Sequence, residues 1–122
     1  MSEGAMDPKK QWIMISGPYT SGGASTEQRA ANLLAMNEAA REVLSKGHIP
    51  IIGVNMALPI IEAAGPESFT EIMMPVSLEL ARRCDAVLRI GGPSVGADQE
   101  VDLIEANGGQ VYASVAEIPD LS

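Results

Sequence analysis

The sequence predicts an α/β domain of the three-layer, Rossmann-like kind, with a small parallel sheet of four to five strands between helical layers. Short apolar runs at residues 12–15, 49–54, 86–90 and 110–113 suit strands buried on both faces. Between them lie stretches whose apolar residues recur at the helical period. Strands alternating with helices imply right-handed crossovers, and hence a parallel sheet.

The first strand, 12–15, stops at Ser16-Gly17-Pro18, and a loop with three glycines follows over 17–25. Thr26 is the expected cap of a helix carrying Leu33, Met36, Ala40, Val43 and Leu44 and ending at Gly47. Strand two is expected over 49–54, then a short apolar helix or turn over 55–64 with Pro59 in its path. Residues 69–84 read as a long helix in which Pro75 opens a turn or makes a kink. Strand three, 86–90, ends at Gly91-Gly92-Pro93, and Ser94 is placed to cap a helix reaching about Asn107. Gly108-Gly109 stops that helix before the fourth strand, and Ser114 with Glu117 suggests a capping box.

With 122 residues the chain has one domain's worth of sequence: a polar tail over 1–10, then a single domain over 11–122. The net charge of −8 would repel a phosphate backbone, which excludes nucleic-acid polymers as partners. One cysteine, Cys84, and one histidine, His48, form neither an internal disulfide nor an ordinary zinc site. The start lacks the apolar core of a signal peptide, and the apolar stretch 49–61 is broken by Gly53, Asn55 and Pro59. A cytoplasmic protein with no membrane span is expected. The apolar faces of residues 55–64 and of Met73, Met74 and Val76 exceed what a solvated surface carries, so a homo-dimer or higher homo-oligomer is expected.

In open parallel sheets ligands bind beyond the carboxyl ends of the strands. That directs attention to the loop at Ser16, Gly17, Pro18 and Tyr19, to Asn55, and to the turn at Gly92, Ser94 and Gly96. Neither Gly-x-x-x-x-Gly-Lys nor Gly-x-Gly-x-x-Gly occurs, which takes away the ATPase and dehydrogenase readings. On a helical wheel Asp98, Asp102 and Glu105 share the wet side, whereas Glu100 falls between Leu103 and Ile104 on the face turned to the sheet. A carboxylate there needs a partner or a purpose. Arg89, near the carboxyl end of strand three, is expected to meet an anion such as Glu100 or a substrate phosphate. His48 and Asp85 fall at the opposite end of the sheet and read as structural, and Cys84 as a small buried apolar residue.

Ile13-Met14-Ile15-Ser16-Gly17-Pro18, Cys84-Asp85-Ala86-Val87 and Ser94-x-Gly96-Ala97-x-x-Glu100 together resemble the nucleoside 2-deoxyribosyltransferase-like superfamily, over about residues 11–119. The resemblance implies a flavodoxin-like fold, a homo-oligomer, no cofactor or metal, and chemistry at the N-glycosidic bond of a nucleoside or nucleoside 5′-monophosphate. It makes Glu100 the nucleophile and Ser94 and Gly96 phosphate contacts. Met14 stands where the family has a supporting tyrosine and Ser77 where it has an assisting aspartate. Tyr19 is therefore a candidate to supply a hydroxyl from the loop, and Ser77 a candidate substrate contact. Two readings of another class stay open: a non-catalytic nucleotide-binding module, and a ligand-free interaction domain in which Glu100 and Arg89 form a buried ion pair.

Overall fold

The computed structural model describes residues 9–122. Most of the expected tail, residues 1–8, lies outside the described residues; Lys9 and Lys10 are exposed and in no helix or strand. The architecture is α/β, with a parallel four-stranded sheet between helical layers. In chain order the elements are β1 (Trp12–Ser16), α1 (Thr26–Ser45), β2 (Ile49–Ile51), α2 (Gly53–Ala64), a 3-10 turn (Pro66–Ser68), α3 (Phe69–Ala81), β3 (Ala86–Arg89), α4 (Val95–Ala106), β4 (Gln110–Tyr112) and a 3-10 turn (Val115–Glu117). The sheet order is β2-β1-β3-β4, with Met14 paired to Ile51 on one side and to Val87 on the other.

Alternation along the strands divides the core into two layers. Ile13, Ile15, Ala86, Leu88 and Tyr112 face α1, where Met36, Ala39 and Val43 meet them. Met14 and Val87 face the other way, onto Ala81 of α3 and Ile104 of α4. A third cluster, Ala57 and Ile61 against Met73, joins α2 to α3 as a helical hairpin. Both helical prolines sit where they do least harm. Pro59 and Pro75 are exposed, as are Asn55 and Glu71, whose carbonyls lose their helical partner, so water can serve those carbonyls.

Several boundaries differ from the sequence expectation. Ser25, not Thr26, caps α1, its hydroxyl accepting from the Gln28 N–H at 3.1 Å. Strand two stops at Ile51, because Gly53 already opens α2. Helix α3 ends at Ala81 rather than Cys84, runs through Pro75, and leaves a turn before β3. Ser94 does cap α4, accepting from the Ala97 N–H at 3.1 Å, and Gly108 follows the helix with φ +86°. The box at Ser114 is half formed: Glu117 accepts from the Ala113 N–H at 2.9 Å, and Ser114 makes no side-chain cap.

The amino ends of the strands are laced by polar contacts. His48 is fully buried; its Nδ1 accepts from the Gln11 N–H at 3.0 Å, which leaves Nε2 to donate to the Pro119 carbonyl at 2.7 Å. Asp85 accepts from the Trp12 N–H at 2.8 Å. Lys46 donates to the carbonyls of Val115 and Ile118 at 2.7 and 2.9 Å, and the Leu121 N–H returns to the Lys46 carbonyl at 2.7 Å.

Candidate active site

Between β1 and β3 the winding of the sheet reverses, since β1 leads to β2 on one side and β3 to β4 on the other. In doubly wound sheets such a switch point leaves a crevice at the strands' carboxyl ends. Here β1 ends at Ser16, and α4 begins just beyond β3 with its capped first turn. That cap sets the rotation of α4, so Ala97, Glu100 and Ile104 face inward. Glu100 thus comes down onto the end of β1, where the Ser16 hydroxyl donates to its Oε1. From α3 Ser77 faces the same space, its hydroxyl near enough to favour the charged carboxylate.

Glu100 is 8% exposed. Burial pushes its pKa up to about 7, against the pull of the Ser16 and Ser77 hydroxyls and of the Arg89 charge, which favour the carboxylate. The carboxyl therefore exchanges its proton near neutrality. Ser16 can serve both forms: it donates to the carboxylate, and the Ala97 carbonyl, 3.4 Å from its oxygen, can take its hydrogen when a protonated Glu100 becomes the donor.

Above the carboxyl opens a small pocket of about 90 Å³. Ser16 reaches it through Glu100, while Gly17, Tyr19, Ser77, Ser94 and Gly96 line it directly. The Tyr19 carbonyl accepts from Asn32 at 2.9 Å, which fixes the loop to α1. Other expected residues lie elsewhere. Asn55 is on the outer face of α2, donating to Asn37 at 2.8 Å, because α2 starts two residues before it. Pro18 packs on Gly91 and borders a separate cleft with Ile90 and Met36. Gly92 is exposed, its carbonyl engaged by Arg89 at 2.9 Å.

Arg89 does not pair with Glu100. Its Nε meets Asp98 at 3.2 Å and its terminal nitrogens donate to the carbonyls of Ile90 and Gly92, so it ties down the turn after β3. Asp98, read as solvated, is the partner that made Arg89 affordable near the strand end. Cys84 is half-buried, donates to the Leu80 carbonyl at 3.4 Å, and has its pKa pushed up to about 11 by burial and by Asp85 and Glu100. It is an unreactive thiol.

Among the lining residues that escaped sequence reasoning are Gly53, Phe69, Met73 and Met74. A signal was present, since Phe69, Met73 and Ser77 recur every four residues, so that the serine interrupts an apolar stripe of one helix face. Among the described residues no cluster of three or more His, Cys, Asp or Glu is placed to hold a metal ion, and no helix is long and apolar enough to cross a membrane.

No family model and no curated protein sequence matches the chain. The site must be read from its own chemistry.

Proposed function

We propose that the protein cleaves or transfers the N-glycosidic bond of a nucleoside or nucleoside 5′-monophosphate, with Glu100 as nucleophile. The observation that carries this reading is the Glu100 carboxyl itself, buried at the foot of a small pocket that continues into two wider clefts, hydrogen-bonded by the Ser16 hydroxyl and titrating near neutrality. A carboxylate oxygen attacks the anomeric carbon while the bond to the base nitrogen breaks, and the base departs with the bonding pair and takes up a proton. The resulting glycosyl ester then yields its sugar to water or to a second base, which restores the carboxylate. Ser16 holds one carboxylate oxygen in place during attack, and Tyr19 borders the same space. The reaction calls for no cofactor or metal. The reading places the protein in the cytoplasm as a homo-oligomer, for which the exposed Met56 and Ile60 on the outer face of α2 supply an apolar surface.

The rival is a nucleotide-binding module without turnover. It is favoured by Met14, whose thioether is buried among Ala81, Val87 and Ile104 and offers the carboxyl no hydroxyl. Chromatography for free base, across a panel of nucleosides and monophosphates, separates the two. Base release by wild type and none by Glu100→Gln supports catalysis. Binding without release in wild type supports the module.

A further inference from the structure

Two clefts lead outward from the carboxyl pocket, and they differ in chemistry. One continues past Thr20, Ser21, Ser94 and Gly96 toward Gly22 and Pro93. It offers hydroxyls and the N–H groups of the first turn of α4, a setting suited to a sugar and its phosphate. The other leaves by Thr20 and Phe69 and is completed by Arg29, Ile61 and Pro66. A phosphate in this cleft could pair with Arg29 but would leave Phe69, Ile61 and Pro66 uncovered, whereas a flat heteroaromatic ring can cover those groups with its faces and turn an edge to Arg29.

Arg29 distinguishes this second cleft. Arg41, Arg82, Arg83 and Arg89 each pair with a carboxylate, and among the described residues Arg29 has no such partner, in a chain of net charge −8. Its Nε donates to the Ala24 carbonyl at 3.1 Å, which holds the guanidinium to the loop and leaves its two terminal amino groups as donors. A planar pair of donors matches a base edge that carries two neighbouring acceptors, as O6 and N7 of a 6-oxopurine do; adenine presents an amino donor in place of one of them.

We propose that the Arg29 cleft is the base subsite, and that it selects a 6-oxopurine over adenine. The proposal rests on the glycosidic reading for the position of the sugar, and it is tested by binding, apart from turnover. Calorimetry on Glu100→Gln, which keeps ligand intact, would compare 2′-deoxyinosine with 2′-deoxyadenosine, and then repeat the comparison with Arg29→Gln added. The expected result is a preference of about tenfold or more for 2′-deoxyinosine, reduced to within about twofold by Arg29→Gln, with 2′-deoxyadenosine affinity little changed. Arg29→Lys keeps the charge without the planar fork and should also lose most of the preference; because Arg29 is exposed, an unchanged melting curve is expected for both variants.

Equal binding of the two nucleosides, or a preference that survives Arg29→Gln, overturns the proposal. If base release fails for every substrate while the Arg29-dependent preference holds, the catalytic reading falls and the subsite stands. Base release without the preference does the reverse. If neither nucleoside binds, the subsite proposal falls, and if their 5′-monophosphates also fail to bind, the glycosidic reading falls with it.

Discussion

Gly53 and Ser77 are in contact across the α2–α3 hairpin, and a Cβ on Gly53 would lie 2.9 Å from the Ser77 Cβ and 3.1 Å from its Cα. Only glycine lets the start of α2 approach so closely, and the approach fixes the place of Ser77, whose hydroxyl favours the Glu100 carboxylate. Ser77→Ala removes a donor that favours the carboxylate, so Glu100 should titrate above its value of about 7. Gly53→Ala should raise it as well by displacing Ser77, with a stability loss of about 1–3 kcal/mol from overpacking. Carbon NMR of labelled glutamate side chains reads the titration directly; an unmoved Glu100 curve in Ser77→Ala would refute the assigned role.

The Glu100 contribution to stability should fall as pH rises from about 4.5 to about 7. The folded pKa of Glu100 is raised from 4.5 to about 7, so folding favours the protonated form; its contribution is complete below 4.5 and is lost as pH climbs through about 7. Glu100→Gln is neutral throughout. Its stability relative to wild type should increase between pH 4.5 and pH 8 by up to about 3 kcal/mol, as urea denaturation at the two pH values would show. The catalytic reading makes activity move the opposite way, rising with the carboxylate fraction. A stability gap that stays constant with pH would contradict the burial of a titrating carboxyl.

Arg89→Met should loosen the turn at Ile90–Gly92, because all the engaged guanidinium nitrogens serve Asp98 and two carbonyls of that turn. The expected effect on ligands is therefore uniform, with nucleoside and matching monophosphate weakened alike. A selective loss of the monophosphate, measured by calorimetry, would instead place Arg89 on the phosphate.

Removing the buried imidazole of His48 strands the Gln11 N–H and the Pro119 carbonyl together. His48→Ala should destabilise the fold by about 2–4 kcal/mol, from two lost hydrogen bonds and a cavity. Thermal denaturation checks this, and ligand affinity of the folded fraction should stay near wild type, since His48 lies at the end of the sheet away from the pocket.

The fold was legible because its strands are short apolar runs punctuated by glycine and proline, and Glu100 because a lone acid on an inward helix face conflicts with the hydrophobic pattern around it. What failed was rotation and reach. Reading strand two to Val54 concealed that α2 opens at Gly53, and that two-residue displacement turned Asn55 from the expected pocket to the outer face. Gly53 itself looked like a breaker, since its reason lies 24 positions along the chain, at Ser77. Arg89 was understood as needing an anion, and Asp98 does lie on the wet side as read, but wheel geometry could not show that Arg89 reaches it from the end of β3. Met73 and Met74 read as a face for a second subunit because apolar residues lining a cavity and apolar residues covering an interface have the same pattern.

The lacing of residues 46–48 to residues 115–121 gives the molecule a buckle at the edge remote from its chemistry. Tolerance to heat and choice of ligand are thereby entrusted to different ends of the same strands. Loss of residues 115–121 would be felt as fragility, while the exposed Gly22-Gly23 stretch of the loop after β1 makes none of these fastening contacts. Such a division suits a scaffold for grafted or randomised loops, in which variation at the rim leaves the fastening untouched.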